Sequence, residues 1–247
     1  PASVFNASKQ LDFHQFSKDL SLYGVYMNSE DKEWLIKQSI LKDKAQSLIN
    51  FLDNGGAITK SSTYYRDLLH INKGCHDYIN YLSNVISNLL DSNKYVGLLG
   101  GDHSVSLGYL QALKQIGSSF GILHIDAHLD LRKSYQGFDY SHASVMYNAL
   151  KLPYVSSITQ IGIRDYSKEE EQVVAQLSHR FNSFYDSDIY SQLYRGGNWH
   201  DICDSIIQSL PQHVYISLDI DGLSPEFCPK TGTPVPGGLS YNKITYL

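Results

Sequence analysis

From about residue 74 the chain switches repeatedly between two hydrophobic periods. Cys75, Tyr78, Ile79, Leu82, Val85, Ile86, Leu89 and Leu90 recur at steps of three and four, the spacing of one helix face. KYVGLLGG (94–101) is a short apolar run closed by two glycines, which predicts a strand. HSVSLGYLQALKQI (103–116) returns to helical spacing, with Val105, Tyr109, Ala112, Leu113 and Ile116 on one face. SFGILHID (119–126) predicts the next strand and SHASVMYNAL (141–150) the next helix. ITQIGIRD (158–165) reads as a strand. YSKEEEQVVAQLS (166–178) reads as a helix whose early acids suit the helix dipole. RFNSFYD (180–186) is a weaker strand, and Trp199, Ile202, Cys203, Ile206, Ile207 and Leu210 form another helical stripe. HVYISLDID (213–221) is a buried strand by pattern, followed by the turn-rich segment 222–238. Nearer the start, Leu41, Ala45, Leu48 and Leu52 mark a helix near 32–52, residues 54–62 a loop, and residues 1–28 hold few strong signals.

Strands alternating with helices predict an α/β fold, a parallel sheet with helices on both faces. Ligands of such sheets bind at the carboxyl ends of the strands. Three polar stretches fall at such ends. GGDHS (100–104) is ambiguous by itself. Its glycines before a helix could cradle a phosphate, but the lysine of a phosphate loop is absent, and Asp102 or Ser104 could simply cap the helix. DAHLD is more pointed, because strand periodicity puts Asp126, His128 and Asp130 on one side. Neighbouring carboxylates stay ionised only near positive charge, and a divalent cation supplies it. The bland alternative is a set of solvated turn residues. SLDIDGLSP holds Asp219 and Asp221. An Asp-Gly turn accounts for Asp221 but not for Asp219, which lies inside the strand pattern. Together these stretches offer two imidazoles and four carboxylates. That is too many for one tetrahedral zinc; it suits two cations roughly 3.5–4 Å apart. The excess of oxygen over nitrogen favours manganese.

Composition narrows the remaining classes. The 247 residues are 42% hydrophobic and 18% charged, enough for one sizeable core. A formal charge of −5 without blocks of one sign speaks against nucleic acid or an anionic membrane as partner. Cys75, Cys203 and Cys228 are widely spaced and odd in number, which fits reduced thiols in the cytoplasm rather than a disulfide framework. The pattern holds neither a signal peptide nor an apolar run long enough to span a bilayer.

GGDHS, DAHLD and SLDIDGLSP…GTPVPGG, in that order and with GIRD (162–165) between them, resemble the motif set of the arginase/agmatinase ureohydrolases. PASVFNAS (1–8) is similar to the end of a further family segment. The resemblance implies a three-layer α/β/α sandwich and a binuclear manganese centre. It implies that His103, Asp126, Asp130 and Asp219 hold one ion and Asp126, His128, Asp219 and Asp221 the other, with Asp126 and Asp219 as bridges. The implied reaction is hydrolysis of a guanidino carbon to urea and an amine. His142 in YSHASVM matches the family histidine that gives the leaving amine its proton; read without the family, it is equally a helix-cap neighbour of Ser141. Asp102 and Ser104 are expected to orient ligands, His124 to be a packed strand histidine, and Arg164 and Asp165 to pair with each other. The 19 tyrosines read mostly as filler. A homo-oligomer, trimeric or hexameric, is the family expectation.

The sequence departs from the family in three places. Ser224 stands where an aspartate is usual. The loop LRKSYQGFDY (131–140) lacks the Asn- and Thr-rich character with which arginases grip the amino-acid end of arginine, and it carries Arg132. Both features point toward agmatinase-type members and a substrate without the α-carboxylate. Third, family members begin earlier and continue further, including a glutamate that binds the guanidinium, so residues 1–247 are expected to form a single ureohydrolase-like domain incomplete at both ends. Arginine, guanidinobutyrate and formiminoglutamate are alternative substrates. An inactive metal-binding remnant and a single-zinc deacetylase-like hydrolase are the alternatives of other classes.

Overall fold

Helix α1 (Lys32–Asp53) begins where the Asp31 carboxylate accepts the amide hydrogens of Glu33 and Trp34. That satisfies two of the donors a helix leaves open at its start. The structure, a computed structural model, describes residues 6–10, 31–92 and 94–247; most of the segment 1–28, including His14, lies outside them. The chain divides into one compact unit of residues 1–74 with 97–101 and another of residues 75–96 with 102–247. In the first, Leu48 of α1 is fully buried, Phe51 stacks on Tyr64 at 4.1 Å, and Lys44 pairs with Asp67. Helix α2 (Thr63–Asp91) is longer at its start than the pattern predicts.

The second unit holds a four-stranded parallel sheet in the order β3-β2-β1-β4, with β1 (Phe120–Ile125), β2 (Val155–Ile163), β3 (Phe181–Tyr185) and β4 (Val214–Leu218). Alternate residues face opposite sides. Leu123, Ile125 and Ile161 pack against Ile189 of α6 (Asp186–Tyr194) and Ile202 and Ile206 of α7 (Trp199–Gln208). On the other side, Tyr215 meets Tyr109 of α3 (Ser106–Ala112), with ring centroids 5.1 Å apart. Helices therefore cover both faces, as the alternation predicts. The remaining helices are α4 (Val145–Ala149), α5 (Lys168–Gln176) and α8 (Tyr241–Tyr246). Helices α6 and α8 lack a strong periodic signature in the sequence.

Two strand expectations are corrected. Residues 94–101 form no strand; Tyr95 and Leu99 are exposed instead of packed. An apolar run becomes a strand only when a neighbouring strand takes its backbone hydrogen bonds, and among the described residues no strand pairs with it; the Val96 carbonyl accepts the Tyr109 hydroxyl instead. The strand read as buried over 213–221 is the sheet edge β4. It ends at Leu218, and its apolar residues Val214, Ile216 and Leu218 are exposed.

β1 connects onward to β2 on one side while β4 lies on its other side. The β1/β4 boundary is thus where the connections change direction, the place where an open parallel sheet forms a ligand crevice.

Candidate metal centre

The sequence reading placed Asp126, His128 and Asp130 on one side of a strand. They do converge, but through a turn, because β1 ends at Ile125. Asp126 still takes a ladder bond, its amide donating to Ile161 O at 3.1 Å. Its Oδ1 then accepts the His128 amide at 2.7 Å, which closes the turn. Asp130 follows with φ +54°, a left-handed backbone that is costly for a non-glycine residue. Its neighbours fix it from both sides. The Asp130 carbonyl accepts the amides of Met146 and Tyr147 in α4, and the Leu131 amide donates to Glu170 Oε1 at 3.1 Å.

Asp219 and Asp221 come from the end of β4. The Asp219 amide donates to Ile125 O at 2.9 Å, and its Oδ1 accepts the Asp221 amide. Asp221 Oδ1 in turn accepts the Ala127 amide at 3.1 Å, tying the two strand ends together. Gly222 permits this approach, since a Cβ there would lie 2.9 Å from Asp126 N. Arg164 donates to the carbonyls of Gly162, Asp221, Leu223 and Val235. This corrects the expected pairing of Arg164 with Asp165, which is largely exposed and faces His128 Nε2 at 3.8 Å.

The side chains form two groups that share one residue. In the first, His103 Nδ1 lies 3.1 Å from Asp126 Oδ2, 2.8 Å from Asp130 Oδ2 and 3.6 Å from Asp219 Oδ2. In the second, His128 Nδ1 lies 3.4 Å from Asp126 Oδ1 and 3.2 Å from Asp221 Oδ2. The two oxygens of the buried Asp126 therefore face different groups. His103 Nδ1 is itself buried and makes no aligned hydrogen bond despite these short distances. Nδ1 and carboxylate oxygens of Asp126 and Asp130 lie within 4.8 Å of one another, close enough to be donors to one divalent cation.

The charges agree with that reading. Burial opposes the charge of His103, yet the flanking Asp126 and Asp130 carboxylates outweigh it and hold the imidazole well above its ordinary range. Burial also opposes the charge of His128, but Asp126 and Asp221 outweigh it and push the ring up to about 10. Burial would raise Asp126, yet His124, His103 and His128 hold it well below the usual carboxylate range. Burial and the Asp126 charge raise Asp130 to about 6, and burial, Asp126 and Asp221 raise Asp219. Protons on the two histidines thus stand where cationic charge is wanted.

His142 lies on a short turn that packs against the turn of His103. It is half-exposed, with Nδ1 3.9 Å from Asp102 Oδ2 and 3.4 Å from Ser141 Oγ. Asp102 Oδ1 accepts the Ser104 amide, the capping role considered for it. Three residues were missed by sequence reasoning. His124, expected to be a packed histidine, reaches Asp126 Oδ2 with Nε2 at 2.9 Å. Gln160 sits behind it. Glu170, read as a dipole-favoured acid, is buried; it caps α5 through Ser167 as well as holding Leu131. The one available signal was His124, two residues before Asp126. The loop 131–140 turns tightly at Gln136 and Gly137, between the paired backbones of Tyr135 and Phe138. The Arg132 guanidinium lies over the Tyr135 ring, 5.4 Å from its centroid.

Comparison with known proteins agrees with this geometry. The chain matches the family model described as Arginase family over residues 43–247. It is 37% identical over 158 residues to N(1)-aminopropylagmatine ureohydrolase of Thermus thermophilus, covering 64% of this chain and 50% of that protein. It is 35% identical over 177 residues to agmatinase of Blochmanniella floridana, covering 70% and 54%. The crystal structure of agmatine ureohydrolase of Thermoplasma volcanium superimposes with a TM-score of 0.58 at 29% identity, covering 70% of this chain and 55% of that one. The chain spans about half the length of the curated relatives it matches. The parallel sheet, the DAHLD and SLDIDG stretches at the ends of β1 and β4 and a family match across most of the length agree: this chain belongs to the arginase family.

Proposed function

We propose that the residues around Asp126 form a binuclear manganese centre of a ureohydrolase that cleaves a guanidino C–N bond, with agmatine, giving putrescine and urea, as the preferred substrate. The observation that carries the reading is the sharing of Asp126 between the two side-chain groups. His103, Asp126, Asp130 and Asp219 would hold one ion, and Asp126, His128, Asp219 and Asp221 the other. The oxygen-rich donor set favours manganese over zinc. Bound divalent cations supply Lewis acidity that lowers the pKa of a water toward neutrality. The protein's own part is positioning and proton supply. Asp126 turns one oxygen toward each group, Asp219 brings Oδ2 to 3.6 Å from His103 Nδ1, and the locked turn at Asp130 keeps a third carboxylate in place. The leaving amine needs a proton. His142 would deliver it: its half-exposed imidazole stands on the turn packed against that of His103 and is open to the solvent that would reprotonate it.

Agmatine is favoured because the relatives named above act on agmatine-type substrates by name, and because the 131–140 loop carries Arg132 and lacks the Asn- and Thr-rich character with which arginases grip an amino-acid end. The reading treats residues 1–247 as one ureohydrolase-like domain of a cytoplasmic homo-oligomer, trimeric or hexameric. Among the described residues no helix is long and apolar enough to cross a membrane. The test is a manganese titration coupled to a urea-release assay on agmatine, N(1)-aminopropylagmatine, arginine, guanidinobutyrate and formiminoglutamate. Release of urea with agmatine preferred supports the proposal. Two bound ions without turnover of any substrate would favour a metal-binding remnant, and a single tight zinc a deacetylase-like hydrolase.

A further inference from the structure

His124 lies fully buried on β1, in register with Gln160 on β2 and Ser217 on β4. These three polar side chains form a row across the sheet directly beneath the carboxylates. Ser217 Oγ meets His103 Nε2 at 2.8 Å, and His124 Nε2 meets Asp126 Oδ2 at 2.9 Å. By distance alone His124 could be counted as a further ligand beside His103, Asp126 and Asp130.

The hydrogen bonds behind the ring decide otherwise. Gln160 Nε2 lies 3.2 Å from the Leu129 carbonyl, which can only accept. The amide must therefore present its NH2 group on that side. The same Nε2 lies 3.1 Å from His124 Nδ1, so Nδ1 receives a proton and cannot carry one. The reverse amide orientation would set Gln160 Oε1 against the Leu129 oxygen. In the observed orientation Oε1 is buried without a partner, a cost accepted to keep both donors in use. With Nδ1 accepting, the ring proton sits on Nε2 and points at Asp126 Oδ2. A nitrogen that bears this proton has no lone pair for a metal.

We propose that His124 is a positioning residue, not a ligand: Gln160 fixes its tautomer, and its Nε2–H holds Asp126 with one oxygen toward each side-chain group. The role rests on the reading of Asp126 as a shared metal ligand. Hydrogen bonds of this kind to metal-binding side chains are typically worth about 10–100-fold in metal affinity.

The test uses the full 247-residue chain. In the metal-free 15N-labelled protein, long-range 1H–15N spectra of the histidine rings should show His124 protonated at Nε2 and unprotonated at Nδ1. In Mn2+ titrations followed by EPR, His124→Phe should bind the same number of ions about 10–100-fold more weakly. His124→Gln, whose amide nitrogen can donate from nearly the same point, should restore most of the affinity. Gln160→Met, which removes the donor behind the ring without cutting into the site, should weaken binding and release the tautomer even if the His124 variants fail to fold. A proton on Nδ1, unchanged affinity in His124→Phe and Gln160→Met, or loss of one whole ion in His124→Gln would each overturn the proposal. If the wild-type chain takes up no Mn2+, the metal-centre reading falls and this role falls with it. That result is distinct from failure of the tether alone, in which the wild type binds Mn2+ and the variants bind it equally well.

Discussion

Asp130 holds a left-handed backbone at φ +54°, and a conformation of this kind costs a non-glycine residue on the order of 1–3 kcal/mol unless its surroundings impose it. Glu170 supplies half of that imposition. Its buried carboxylate accepts the Leu131 amide and both the amide and hydroxyl of Ser167. Glu170→Ala strands the Leu131 amide in the interior, so a loss of about 1–3 kcal/mol is expected in denaturant or thermal unfolding. Mn2+ affinity should fall as well, because Asp130 would no longer be held; full stability with full affinity would show the clamp to be idle. A second expectation concerns pH. The metal-free ring of His128 is pushed up to about 10, above its ordinary 6.5, so the proton favours the folded metal-free form. That stabilisation is complete below about 6.5 and is lost as pH rises through about 10. The same proton must leave before the ring can bind a cation. Adding Mn2+ should therefore release protons near neutral pH, and apparent affinity should climb with pH toward about 10; pH-stat titration measures both. That the six proposed ligands gather was legible in the sequence because DAHLD and SLDIDG stand at the ends of neighbouring strands, while GGDHS, ambiguous alone, was drawn in by the family motif set. Their supports were not. Gln160 reaches His124 from 36 positions away and Glu170 reaches Leu131 from 39, and nothing in either residue's local pattern announces its partner.

Elements were legible where pattern and neighbours agreed. β1 and β2 follow the predicted segments because helices and strands bury them on both sides, while α6 was hidden in the polar stretch DSDIYSQLY, where only Asp186 and Ile189 are buried. The alternation in DAHLD was right for a different reason: a turn, not a continuing strand, brings the three side chains together. The turn after β4 matters in the same way, since Gly222 lets Asp221 approach the start of DAHLD. In Gly222→Ala the new Cβ would meet backbone atoms of Asp126 at 2.9 and 3.1 Å, and backbone cannot rotate away as a side chain end can. The β4 turn should shift outward and the Asp221 bond to the Ala127 amide should lengthen. The expected outcome is a reduced metal content after dialysis, read by elemental analysis, with the melting temperature lowered. Unchanged metal content would mean that the two strand ends are coupled less tightly than their hydrogen bonds imply. His142→Asn belongs at this scale too, because His142 stands on its own turn beside that of His103. Both ions should remain bound while turnover drops by roughly 10²–10⁴-fold, the usual contribution of a general acid; full turnover would end the proton-donor assignment.

For the whole molecule, the asymmetry of the sheet is the consequential feature. Its central strand β1 is buried throughout, whereas β4, among the described residues, is bonded on one side only and exposes Ile216 at 63% and Leu218 at 48%. These residues share the face of Leu123 and Ile125 but lie beyond the helices that cover those two. Ser217, between them in sequence, points the other way and bonds His103. One strand thus combines an edge and an apolar face with a support of the proposed metal centre. An unpaired apolar edge is a template for pairing with another chain. Self-association of this chain should therefore run through β4, rise with concentration, and respond to charge placed there. Ile216→Lys adds a charge to the edge without touching Ser217, so light scattering at high concentration should fall while Mn2+ uptake is preserved. Ser217→Ala is the converse: scattering should persist while uptake weakens, because His103 loses the hydroxyl at its Nε2. If Ile216→Lys left scattering unchanged, association would have to be sought elsewhere on the surface. If it abolished metal uptake, the two faces of β4 would not be independent, and the separation of edge from site argued from the strand's alternation would be wrong.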